Sequence, residues 1–344
     1  MKPGTVTIGK VAEVAGVSKT TVSRFLNGRY EHMSEETKSR ITAVIEELDY
    51  RPNAIARSLK SQKTGLIGVI VSDVTNPVTL QFMKGIIDYS TQEGYQVVTA
   101  SSNENPEKER EYILSMMDRQ VEGLVVFIAD YNEYSLLEAL KAKGTNIVLA
   151  DRTINKPVFD MVTTDNYSMT RHAIKTLYGL GFEVVGLFSS DLLRSTVRLK
   201  RYNAFLDQSG EHVNDPEDLV YILHDGMEKG CKKELADFMA KSTGKKAAAF
   251  ATTPMAMLNL LGAAYELGLR IPEDIGVCGY DNLQWSRLIS GGISVIEQPF
   301  YDVGTESAKM LIKRIRKEIN DGPQYVELSS KLILRNSTKI RRTT

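Results

Sequence analysis

Along the first sixty residues the apolar positions follow a helical period. Ile8, Val11, Ala12 and Ala15 share one face of residues 7–15, and Gly16 breaks the run. Ser18 is placed to cap a second helix reaching Leu26, with Val22, Phe25 and Leu26 turned inward, and Asn27-Gly28 ends it. Ser34 caps a third helix through Leu48, with Glu35 and Glu36 where the positive helix end favours them and Ile41, Val44 and Ile45 on its apolar stripe. Tyr50-Arg51-Pro52-Asn53 interrupts, residues 54–59 have the length of a turn and a half of helix, and 60–65 read as a polar linker.

Beyond Thr64 the pattern changes. Short β-branched runs at 66–72, 96–100, 124–128, 146–150, 184–187, 247–251 and 276–278 predict buried parallel strands. Amphipathic stretches at 80–92, 108–119, 134–143, 168–178, 200–208, 255–267 and 303–319 predict helices between and after them. This alternation predicts an α/β protein with doubly wound parallel sheets. It is long enough for two similar lobes with a cleft between them, where ligands meet the carboxyl ends of strands. The expected organisation is an all-α headpiece over 1–52, a hinge helix and linker over 53–65, and a two-lobed body over 66–344.

Composition narrows the function. Apolar residues at 42% and charged residues at 25% suit a globular protein, and a net charge of +0 argues for no particular partner. The charge is unevenly spread, however: residues 1–63 hold eleven basic and seven acidic side chains. A basic head on an acidic body suits a nucleic-acid-binding module joined to something else. Cys231 and Cys278 have no metal-ligand spacing and read as buried thiols in a reducing compartment. No secretory leader or membrane-length apolar run is recognisable, so the expectation is a cytoplasmic protein with no membrane partner. The chain carries no Walker loop, Gly-x-Ser-x-Gly, His-Glu-x-x-His or cysteine cluster, which points away from an enzyme and implies no cofactor or metal.

The strongest local signal is the run from Thr7 to Asn27. Ala12, Ala15 and Gly16 are small where two helices cross closely, and Val17 and Val22 pack the second helix on the first, which is helix-turn-helix geometry. The outer face then carries Lys19, Thr20, Ser23 and Arg24, suited to base edges, with hydroxyls near helix starts suited to phosphates. An ordinary helical hairpin with a polar outer face is the alternative. With Val11-Ala12, Ala15-Gly16-Val17-Ser18, Thr21-Val22-Ser23-Arg24, Asn27-Gly28, Leu48, Tyr50, Pro52-Asn53, Ala56 and Leu59, residues 6–60 resemble the headpiece of the lactose-repressor (LacI/GalR) family. The likeness continues through Asn76-Pro77, Val121-Glu122-Gly123-Leu124, Asp151-Arg152, Thr164-Asp165-Asn166, Gly279-Tyr280-Asp281-Asn282 and Gln298-Pro299, and so covers nearly the whole chain.

The resemblance implies a periplasmic-binding-protein-like body and a homodimer on a pseudo-palindromic operator in double-stranded DNA. The residues it assigns to DNA are Thr7, Ser18, Lys19, Thr20, Thr21, Ser23, Arg24 and Asn27, with Asn53, Ala56, Arg57 and Leu59 in the hinge. Leu59 would be an apolar wedge in the minor groove, and the alternative is a leucine docked on its own body. The hinge is too short to be helical alone, so it would order only when paired bodies hold it, which couples ligand to DNA.

By motif position the effector contacts are Asp281 and Arg198 first, then Asn76, Asp151, Arg194 and Thr252. A carboxylate accepts from sugar hydroxyls and a guanidinium fork donates to ring oxygens or a carboxylate. Two departures stand out. Thr252-Thr253-Pro254 replaces the family's usual Asn-Asp, and Arg201 stands before Tyr202 where the family usually has glycine. Arg194, Arg198 and Arg287 together suggest a sugar acid or sugar phosphate in place of a neutral sugar. The expected function is therefore a repressor of carbohydrate-metabolism genes controlled by a small sugar-like effector. Control by a phosphoprotein corepressor, or a two-lobed solute-binding protein without DNA regulation, are the alternatives. The 335–344 end lacks a leucine heptad, which favours a plain dimer.

Overall fold

The computed structural model describes residues 6–31, 33–50, 64–154, 156–192, 195–223 and 230–340. The expectations placed on Asn53, Ala56, Arg57, Leu59 and Arg194 lie outside these described residues. The chain divides into two compact units, Met1–Thr64 and Gly65–Thr344.

The first unit holds α1 (Ile8–Val14), α2 (Lys19–Leu26) and α3 (Glu35–Glu47). Each begins on a hydroxyl cap that accepts a backbone N–H: Thr7 from Lys10, Ser18 from Thr21, Ser34 from Thr37. Gly16 takes the left-handed φ of +64°, and the Val17 N–H reaches back 3.0 Å to the Ala12 carbonyl, so α1 ends in a Schellman turn. That turn brings α2 across α1 and buries Val11, Ala12, Ala15 and Val22 against Ile41, Val44 and Tyr50.

The second unit contains two six-stranded sheets. Its elements run β1 (Leu66–Val71), α4 (Pro77–Gln92), β2 (Gln96–Ser101), α5 (Pro106–Asp118), β3 (Gly123–Val126), α6 (Ser135–Ala142), β4 (Asn146–Ala150), β5 (Asp160–Thr164) and α7 (Asn166–Gly179). Then come β6 (Val184–Ser190), α8 (Thr196–Ser209), β7 (Val220–Leu223), α9 (Lys232–Lys241), β8 (Ala247–Ala251), α10 (Pro254–Glu266) and β9 (Gly276–Tyr280). The last are β10 (Ser294–Glu297), α11 (Phe300–Ile315), β11 (Tyr325–Leu328) and β12 (Lys331–Ile333). One sheet has the order β11-β5-β4-β3-β1-β2 and the other β12-β10-β9-β8-β6-β7. All the strand pairs are parallel except β10 with β12.

Strand β1 shows why the sheets are covered on both faces. Ile67, Val69 and Val71 enter one core with α4 and α11, while Ile70 enters another with Ile113 and Met116 of α5. Two expectations need correction. The run at 96–100 was expected to be buried, but β2 is an edge strand whose residues are half-buried or exposed. The helix expected at 303–319 is α11, which starts at Phe300 and stops before Lys317 turns left-handed at φ +59°.

The chain crosses between lobes three times, after β5, after β10 and after β11. The first crossing carries α7 to the second lobe, and the second returns α11 to the first, where it crosses α4 on two glycines. A Cβ on Gly85 would lie 2.1 Å from the Tyr301 carbonyl oxygen, and one on Gly304 2.1 Å from that of Phe82. No side chain fits at either position without moving backbone.

Candidate nucleic-acid face and effector cleft

In the first unit, Val22 is buried and holds α2 on α1, which leaves Lys19, Thr20 and Arg24 exposed and Ser23 half-buried on the outer face. Neither Lys19 nor Arg24 has an ion-pair partner among the described residues, so both cations are available to a ligand. The stem of Lys19 lies over Gly9, where an added Cβ would be 3.0 Å from its Cε. Ser18 and Thr21 hydroxyls share a hydrogen bond of 2.9 Å, and Thr7 caps α1. The Asn27 amide donates to the Ser23 carbonyl at 2.7 Å, so Asn27 closes α2 with its N–H and retains its carbonyl.

In the second unit, loops at strand ends bring several of the expected residues to one place. Asp151 follows β4 with φ +60°, and Asp281 follows β9 with φ +78°. Arg198 lies in the first turn of α8, capped by Ser195. Thr252 follows β8, is fully buried, and donates 2.7 Å to the Ser189 hydroxyl. Asn76 lies in the loop after β1 and caps α4, accepting from Val78 N–H. Arg287 also departs from the expected basic cluster, since it is exposed and its charge bears on Arg335.

The basic groups of the cleft are instead Arg152, Arg198 and Arg201. Arg198 donates to the Asp191 carbonyl at 2.6 Å and to both oxygens of Glu104 at 3.3 Å. Arg152, buried, donates to the same Glu104 and to the Ile128 carbonyl. Burial pushes the Glu104 carboxyl up, but the two guanidiniums outweigh it and hold the group below its ordinary range. The pair Glu104–Arg198 joins the two lobes, as does Thr196 of α8, whose hydroxyl donates to the Thr153 carbonyl and accepts the Thr153 N–H.

Arg201 forms the floor. It is buried and donates to Asn166 Oδ1 at 2.8 Å, the Thr252 carbonyl at 2.5 Å and Gln298 Oε1 at 3.0 Å, with its Cζ 3.4 Å from the Tyr280 ring centre. Gln298 accepts a further bond from Thr164 and donates 2.7 Å to Asp281. Beside this network the half-buried Asp165 accepts the Ser330 N–H at 2.9 Å, which ties the third crossing to the first. Burial pushes Asp281 up to about 6 against the opposing pull of Arg201 and Gln298. Burial raises Asp151 likewise, opposed by Arg152 and Arg201, and its carboxylate makes no side-chain hydrogen bond among the described residues. Glu104, Arg152, Arg201, Asn166 and Gln298 were not picked out as site residues from sequence. The signals were Arg201 itself, an arginine where a glycine is usual, and the family-like motifs that hold Arg152, Asn166 and Gln298.

Comparison with known proteins agrees with this geometry. Residues 7–53 match the family described as bacterial regulatory proteins, lacI family, and residues 174–338 match the periplasmic binding protein-like domain. The chain is 36% identical to the HTH-type transcriptional regulator KdgR of Bacillus subtilis over 97% of this chain and 98% of that one. Its fold matches that of the lac repressor dimer bound to operator and the anti-inducer ONPF, with a TM-score of 0.83 at 23% identity, covering 97% of this chain and 99% of that one. It also matches the transcriptional regulator CelR in complex with cellobiose, with a TM-score of 0.71 at 22% identity over 96% and 99% of the two chains. The exposed face of α2, the two-lobed body and full-length identity to a regulator together place this chain in the LacI family of DNA-binding transcriptional regulators, which are not enzymes.

Proposed function

We propose that this regulator represses carbohydrate-metabolism genes as a cytoplasmic homodimer, and that a carboxylated sugar bound between its lobes sets its affinity for operator DNA. Lys19, Thr20, Ser23 and Arg24 read base edges from α2. Thr7, Ser18, Thr21 and Asn27 meet the phosphate backbone, and residues 53–65, with Asn53, Ala56, Arg57 and Leu59, form the minor-groove hinge between the headpiece of 1–52 and the body. Support for pairing comes from two exposed apolar stripes, Leu80 and Ile87 on α4 and Met255 and Leu258 on α10. A sugar ligand is supported by the related CelR structure, solved with cellobiose.

The observation that carries the acidic effector is Arg198. Its guanidinium is largely buried, and the carboxylate hydrogen-bonded to it, Glu104, stands at 3.3 Å, beyond the usual charge-assisted distance, while Asp191 acts on it through its charge. Asp151 and Asp281 supply acceptors for hydroxyls, Thr252 and Asn76 polar edges, and Arg194 a further cation. Calorimetric titration with D-glucuronate against D-glucose, and D-galacturonate against D-galactose, tests the reading. A hydrogen bond to a charged group is worth about 1.5–3 kcal/mol, so the acid should bind about ten- to hundredfold more tightly. Equal or tighter binding of the neutral member refutes it.

A further inference from the structure

Glu104 belongs to the first lobe, where it follows β2. It and Asn103 both hold left-handed backbone, at φ +59° and +52°, a conformation that costs non-glycine residues energy and persists only when the surroundings enforce it. Here they do. The Glu104 N–H donates 2.8 Å to the Ser72 carbonyl, the Asn103 side chain accepts from the Ser101 hydroxyl at 2.8 Å, and Asn105 immediately caps α5. The carboxylate is therefore held in one position, 39% exposed, between Arg152 of its own lobe and Arg198 of the other.

The two contacts are unequal. Arg152 is buried beside Glu104 in a tight contact and also donates to carbonyls of its own lobe. Arg198 meets both Glu104 oxygens at the long distance of 3.3 Å, and its closest bond is to a neutral carbonyl. A second carboxylate arriving in the cleft can thus take the Arg198 fork while Glu104 stays on Arg152, and no buried charge is left unpaired.

We propose that Glu104 is a resident substitute for the effector's carboxylate, bridging the lobes until an acidic ligand displaces it from Arg198. This inference rests on the reading of the cleft as a sugar-acid site and adds a residue that sets its selectivity and threshold. Because Glu104 occupies the fork and repels a second carboxylate, it weakens acids more than neutral ligands. It also makes ligand entry an exchange: the tie between lobes passes from a side chain to the effector.

The probes are acetate, its neutral isostere acetamide, and the pair D-glucuronate and D-glucose, titrated calorimetrically into the full chain and E104Q. E104Q keeps the shape and a weaker acceptor but gives up the charge. It should bind acetate and D-glucuronate about five- to tenfold more tightly than the parent, with acetamide and D-glucose gaining less than about twofold, and R198M in the E104Q background should erase the gain. Acid affinity that is unchanged or weaker in E104Q overturns the proposal, as does a gain that survives R198M. Should E104Q fail to fold, E104D, whose shorter side chain cannot span both arginines, replaces it with the same expectation. The acid-over-neutral preference of the parent protein reads the underlying function separately. If that preference is present and E104Q leaves it unaltered, only the role of Glu104 falls; if the parent prefers the neutral sugar, the sugar-acid reading falls with it.

Discussion

Replacing Arg201 by methionine tests whether the floor of the cleft is the network described. Methionine retains the apolar stem but cannot donate a hydrogen bond, so three bonds disappear, to Asn166, Thr252 and Gln298. Gln298 Oε1 keeps the Thr164 hydroxyl at 2.8 Å, whereas Asn166 Oδ1 and the Thr252 carbonyl are left buried without this donor. Each orphaned acceptor costs about 1–3 kcal/mol, which puts the total near 4 kcal/mol before the loss of the cation over Tyr280. The assay is urea unfolding followed through Trp285, the only tryptophan, which packs on the second-lobe core. With a slope of about 2–3 kcal/mol per molar for a unit this large, the midpoint should fall by about 1.3–2 M. A fall of less than about 0.3 M would show that the cluster contributes nothing to stability beyond what an apolar side chain supplies.

Other expectations concern pH and DNA. Glu109 is buried with the Ala129 N–H on one oxygen, and burial pushes its carboxyl up to about 7. A raised folded-state value favours the protonated form, so its contribution is complete below about pH 4.5 and is lost as pH rises through about 7. Between pH 6 and 8 that loss is about 1.4 kcal/mol, and E109Q should flatten this part of the thermal-stability profile; an unaltered slope would refute the assignment. For DNA, R24A and K19A should each cost about 1–3 kcal/mol and relax base preference in sites selected from random sequence. Unchanged selected sites in R24A would remove Arg24 from base reading.

The headpiece was legible because its signals are local. Ser18 and Ser34 sit three residues before the N–H groups they cap, and Gly16 marks the turn where only a left-handed residue fits. The two-lobed body was legible in β1, β3, β4, β6, β8 and β9, which are short but buried along most of their length, whereas the polar residues of β5 and β10 hid two further interior strands. Strand β11 was not, because Tyr325–Leu328 alternates exposed and half-buried residues at a sheet edge, and Lys331–Ile333 is only three residues long. The first turn of α8 was missed because Ser195, its cap, follows a stretch without periodicity. The cleft itself could be read only in part. Its members stand at 104, 151–152, 198–201, 252, 281 and 298, each at a loop or helix start, and only the three crossings bring them together. A one-dimensional pattern treats Arg201 as a departure from the family, whereas its partners come from 166, 252 and 298.

The glycine crossing of α4 and α11 has a consequence for how the protein is made. All of the second lobe's strands except β12 lie between these helices in the sequence, yet the first lobe lacks its covering helix and its β11 edge until the ribosome has passed them. The inserted lobe, by contrast, draws most of its strands from one contiguous stretch and can collapse as it emerges. The earlier-translated half of the body is therefore the later one to close, and until then its apolar sheet face is the surface a chaperone would need to shield.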